Sequence, residues 1–154
     1  MATSKPAGTG MDQFIAALVS NRDQKTLAIW AADCAERVLP YFEKAYPEDA
    51  RSRNAIVAAR AWVRGELKMV DARKAAFAAH TAAQDAEASA AAQSAARAAG
   101  HAAATAHVAR HAIHAASYAA AAIHEVAGSS KADVTAEREW QYRHLLSLGE
   151  TEKE

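Results

Sequence analysis

Residues 72–127 read ARKAAFAAHTAAQDAEASAAAQSAARAAGHAAATAHVARHAIHAASYAAAAIHEVA, and more than half of that stretch is alanine. Alanine is the best helix former because it loses no side-chain entropy on folding. Its methyl group also lets helix backbones lie close together. With 45 alanines in 154 residues, the chain is expected to be all-α, a single-domain alanine-rich bundle of about six or seven helices. A solvated alanine rod is the rival architecture. Trp30, Trp62 and Trp140, with their Leu, Ile and Phe neighbours, argue against it, since such side chains dominate core energetics.

Working outward, 154 residues suit one core and are too few for two domains of usual size. Residues 1–10 read as a disordered tail, 11–148 as the helical domain and 149–154 as a charged tail. The 18 basic and 18 acidic residues cancel, so no global field would draw in nucleic acid or an anionic membrane. Partner recognition should be local. Cys34 is the only cysteine, which excludes an internal disulfide and suits a reducing compartment. No secretory signal and no 18-residue apolar run is present. A soluble, cytoplasmic protein is expected.

Asp12 is expected to cap a first short helix with Phe14, Ile15, Leu18 and Val19 on one side. From Lys25 the spacing of Leu27, Trp30, Ala31, Cys34 and Val38 predicts a second helix, with Asp33 and Arg37 four apart on its flank. Pro40 either begins a new turn or kinks this helix. Asp49 or Ser52 opens a third helix to about Arg64, with Ala55, Ile56, Ala59, Trp62 and Val63 inward and Gly65 as its stop. Asp71 starts a fourth, carrying Phe77 and His80 and weakening at residues 84–89. Unbroken helix from there to Val126 would span about 57 Å at 1.5 Å per residue, too long for so small a domain. A break is expected between Gly100 and Val108, giving fifth and sixth helices. Asp133 caps the last helix, which runs to Leu148 with Val134, Gln141, Leu145 and Leu148 on one face.

The most suggestive chemistry lies in the histidines. On a sixth helix His107, His111, His114 and Tyr118 would form a ridge beside an apolar face. Neighbours three or four apart can share a metal, but His107 and His114 would be about 10.5 Å apart by helical rise, so one ion cannot take all three. Further ligands would have to come from His80, His101 or Asp33 across the bundle. The blander alternative is imidazoles that hydrogen-bond within a seam left narrow by alanine. Gly100 beside His101 would let another backbone approach. Arg53, Arg60 and Arg64 align on the third helix, and Lys68, Arg73 and Lys74 follow. This basic stretch faces either a partner or intramolecular carboxylates, since Asp33, Glu36, Glu43, Glu48 and Asp49 precede it. Cys34 sits in an apolar stripe and reads as core. No phosphate loop, nucleophile elbow or paired-carboxylate signature occurs.

Three stretches carry a family resemblance: LAIWAADCAERVLPYFEKAYP (27–47), AARAWVRGELKMVDARKAAFAAH (58–80) and AARAAGHAAATAHVARHAIHAASYA (95–119). Together with EREWQ at 137–141 they resemble the bacterial immunity-five-like helical family assigned to polymorphic toxin systems. Trp30, Asp33, Cys34, Arg37, Trp62, Gly65, His80, Gly100, His101, His107 and His111 match its recurring pattern, and His114 departs from it. The resemblance implies a protein that binds and neutralises a cognate toxin. It brings no catalytic residues and no cofactor with it. The docking surface would use Arg60, Arg64, Lys68, Arg73 and Lys74 together with the histidine ridge, since arginine and aromatic anchors are enriched at binding hot spots. Trp30, Asp33, Cys34, Arg37, Trp62 and Gly100 are read as structural. The alternative is a metal-binding helical protein in which His107 and His111 take zinc or nickel, and a nucleic-acid-binding module ranks last. Self-association through the alanine seam is left open.

Overall fold

A computed structural model describes residues 10–152. These form seven helices: α1 (Met11–Val19), α2 (Gln24–Ala45), α3 (Arg51–Val63), α4 (Met69–Asp85), α5 (Ala90–Ala104), α6 (His111–Glu125) and α7 (Lys131–Glu152). No strand occurs among the described residues, so the chain is an all-α bundle. Residues 1–9 of the tail expected at 1–10, and the last two residues, lie outside the described part.

The bundle is organised around α5, which buries Ala92, Ser94, Ala95, Ala96, Ala98, Ala99, Gly100, Ala102 and Ala103. A helix that is apolar nearly all round belongs inside, and α5 packs against α2, α3, α4 and α6. Among the described residues, twenty-seven of the thirty-eight buried apolar residues are alanine, so most of the interior is lined by single methyl groups. The bulk comes chiefly from α2, whose Leu27, Trp30, Val38, Leu39 and Phe42 are buried. Trp62 is only half-buried and Phe14 is exposed, so neither joins that core.

Local chemistry explains the helix ends. Asp23 caps α2 by accepting from the Thr26 amide at 2.8 Å. Pro40 lies inside α2 without ending it, and both Pro40 and Glu36 are exposed. At the end of α3, Gly65 takes φ +76°. Its amide donates to the Trp62 carbonyl at 3.0 Å and the Glu66 amide to that of Ala61 at 2.9 Å, a Schellman stop. α4 begins at Met69, two residues before the expected Asp71, which sits in the first turn where the helix dipole favours a carboxylate. Ser89 caps α5 through the Ala92 amide at 3.0 Å.

The break expected between Gly100 and Val108 is present: Gly100 is helical and α5 ends at Ala104, where Gln24 at the start of α2 donates to the Thr105 and Ala106 carbonyls at 2.9 and 3.0 Å. Two expectations need correction. Asp12 does not cap α1; Gly10 holds that position, and Asp12 accepts from Arg138 at 2.6 Å. Finally, α7 runs past Leu148 to Glu152, where the glutamate accepts from the Asp23 amide at 3.2 Å. It starts at a reciprocal box in which the Ser130 amide donates to Asp133 and the Asp133 amide to Ser130, at 2.9 and 3.2 Å. Among the described residues, no helix is long and apolar enough to cross a membrane.

Candidate functional site

α4 has two contrasting sides. Its inner side is alanine alone, Ala72, Ala76, Ala79, Ala82 and Ala83. Its outer side carries Met69, Val70 and Phe77, exposed by 41%, 49% and 58%, with exposed Lys68, Arg73 and Lys74 among them. The Arg73 guanidinium lies 5.3 Å from the Phe77 ring centroid, within cation–π range. Large apolar side chains facing water stand out in a protein whose interior is so poor in them. Of the basic residues expected to form a partner surface, Lys68, Arg73 and Lys74 have no carboxylate partner among the described residues. Arg60 is held inward by Asp33 at 2.8 Å and by Glu36, and Arg64 is paired with Glu66 at 2.9 Å. The α3 arginines follow the intramolecular alternative, Arg53 with Glu43 at 2.6 Å and Arg51 with Asp49 at 2.6 Å and Asp85 at 3.1 Å.

The second feature is a histidine cluster where α4, α5 and α6 meet. Gly100 makes it sterically feasible, since a Cβ there would lie 2.7 to 2.9 Å from the His80 ring. The His80 Nδ1 accepts from Arg97 at 3.2 Å, because a guanidinium can only donate. The Nδ1 atoms of His101 and His111 are 3.0 Å apart, so one carries a proton and the other accepts it. His101 is the hub. Its ring centroid is 4.8 Å from that of His80, 5.1 Å from those of His111 and His114, and 5.4 Å from Tyr118, nearly parallel at 8°. His107 is not part of this ridge: it lies exposed in the 105–110 link, because α6 begins only at His111. Burial, reinforced by the charges of Arg97 and His111, pushes His80 down to about 4. Burial also pushes His101 down to about 3, helped by His80, His111, His114 and Arg97. His111 is lowered by burial and then by His114, His107 and Arg110. Among the described residues, no group of three or more His, Cys, Asp or Glu side chains is gathered to hold a metal ion.

A third constellation ties α2, α3 and α7 together. Arg37 donates to Glu137 at 3.0 and 2.9 Å and lies 3.9 Å over the Trp140 ring. Trp140 stacks on His144 at 4.8 Å, and His144 meets Asp33 at 2.7 Å. The expected local pair of Asp33 with Arg37 is therefore absent; each has an oppositely charged partner on another helix. A shallow cleft of about 400 Å³ is lined by Asp33, Glu36, Arg37, Arg60, Trp140 and His144, with its charges already paired. Beneath it Trp30 is fully buried and donates to the Gln141 carbonyl at 2.9 Å, while Gln141 reaches the Ala116 carbonyl at 2.9 Å and receives Arg138 at 2.7 Å. Cys34 is also fully buried, and burial, then Glu137 and Asp33, push its thiol up. Sequence reading missed Glu137, Arg138 and His144. The available signal was EREWQ itself, charged residues sharing the helical face of Val134 and Leu145.

The family described as Imm-5 like putative immunity protein matches residues 17–148, which takes in all of α2 through α6 and most of α7. No curated protein and no solved structure matches the chain.

Proposed function

The chain belongs to the Imm-5 like putative immunity protein family, and from that premise we propose that it acts in the cytoplasm by binding a cognate toxin protein and covering its active surface, with no chemistry of its own. The outer face of α4 carries this reading. Met69, Val70 and Phe77 are exposed beside Lys68, Arg73 and Lys74, and an apolar centre with cationic anchors is the pattern of an interface hot spot. Charge complementarity then calls for a toxin surface bearing carboxylates. Arg60 and Arg64 already have carboxylate partners in Asp33, Glu36 and Glu66, so the unpaired cations of α4 carry more of this reading.

The test pairs Phe77→Ala with Arg73→Glu in cells that also express a candidate cognate toxin. Hot-spot loss of about 2 kcal/mol or more corresponds to at least about a thirtyfold weaker complex, so protection should fail while the isolated protein unfolds at an unchanged temperature. Full protection by the double variant removes this face from the interface.

A further inference from the structure

The histidine cluster joins three helices through one hydrogen bond that needs an unprotonated Nδ1 on His80 and another that needs at least one of His101 and His111 to be neutral. His80 projects from α4, Arg97 and His101 from α5, and His111, His114 and Tyr118 from α6, with His107 and Arg110 on the adjoining link. None of these groups is a carboxylate, so added positive charge finds no compensation inside the cluster. We infer that the α4–α5–α6 seam is an acid-operated latch, closed while its imidazoles are neutral and opened when they take up protons.

The hydrogen-bond geometry dictates this direction. Protonating His80 turns its Nδ1 from an acceptor into a donor and sets N–H against N–H across the 3.2 Å contact to Arg97. Protonating both His101 and His111 does the same across the 3.0 Å between their Nδ1 atoms. Each event replaces an attractive contact with a repulsive one between like charges. The rings are half-buried rather than sealed, so protons can reach them from solvent. The titration behaviour agrees with the geometry: His80 at about 4 and His101 at about 3 lie below the usual 6.5. An unfolded or opened chain binds more protons than the closed one between those limits. The contribution to stability is therefore whole above pH 6.5 and is lost as the pH falls from there toward 4 and 3.

The experiment is urea unfolding of the full chain at pH 7 and pH 5, beside the variant carrying His80→Gln and His101→Gln. Glu43 and Asp49, whose carboxyls are held low by Arg53 and Arg51, stay ionised throughout this window. The wild-type folding equilibrium constant should fall about tenfold or more for each of the two histidines, and the variant should change far less. Equal pH dependence in the two proteins overturns the latch. Should the variant not fold, proton NMR of the wild-type rings decides: His80 and His101 should remain neutral at pH 5, and midpoints near the usual 6.5 overturn the inference. Amide exchange at pH 5, corrected for its intrinsic pH dependence, should show α4, α5 and α6 losing protection before α2 and α7. Uniform loss over all helices is the contrary result.

Discussion

Gly100→Ala is expected to destabilise a protein in which almost every neighbouring position is already alanine. In a helix interior this exchange normally stabilises by about 0.5 to 1 kcal/mol, because glycine loses more backbone freedom on folding. Here the new methyl carbon would lie 2.7 Å from His80 Cε1 and 2.9 Å from its two ring nitrogens, well inside contact distance. The ring has little room to yield, since Arg97 holds its Nδ1 at 3.2 Å and His101 packs against it at 4.8 Å. Overpacking costs about 1 to 3 kcal/mol, and losing a hydrogen bond from a charged donor costs about 1.5 to 3 kcal/mol. Full addition would double-count a single displacement, so the net expectation is a loss of about 1 to 2 kcal/mol. The decisive assay is a double-mutant cycle by urea unfolding with His80→Ala. With the ring removed, Gly100→Ala should regain its ordinary sign and stabilise, giving a coupling of about 2 kcal/mol between the two sites. The same free-energy change in both backgrounds, or stabilisation in the wild type, would refute the close approach.

Other perturbations probe the rest of the bundle. Asp12→Ala leaves the guanidinium of Arg138, only 4% exposed, without its carboxylate; because Asp12 itself is partly solvated, a loss of about 2 to 3 kcal/mol is expected in chemical denaturation, and a change under about 0.5 kcal/mol would show that water replaces it. Ala112→Leu places three extra carbons at a fully buried position on α6 and should cost about 1 to 3 kcal/mol, whereas an undiminished melting temperature would mean that the alanine seam has slack. Cys34 should resist iodoacetamide at pH 8 until the chain unfolds, since its thiol is fully buried and pushed up; rapid labelling of the folded protein counts against this placement.

Helical content was legible because alanine propensity is local, and so was the end of α3 at Gly65; the caps Asp23 and Ser89 emerged only from the structure. The break inside the alanine run was only roughly placed. A helix that is apolar on all sides has no phase to interrupt, and what closes α5 is Gln24, eighty-one residues before Thr105. That same displacement decided the histidines. Once α6 begins at His111, His107 leaves the ridge, and the hydrogen-bond partner of His111 is His101 of α5 instead. Gly100 did hint at a close approach in sequence, though not at which ring would fill the space. Charged residues were the hardest to place. Glu137 and Arg138 resemble any solvated helical pair, yet they are 5% and 4% exposed because Arg37 and Asp12 reach them from α2 and α1.

An interior made of alanine also constrains how such a protein can diversify. At the twenty-seven buried alanines the side chain is a single carbon, so every exchange except glycine inserts atoms where helices already touch. The interior therefore cannot be repacked with larger side chains without moving helices apart. Exchange is easiest at solvent-facing positions, where residues such as Val70, Arg73 and Phe77 can change while the scaffold beneath them stays fixed.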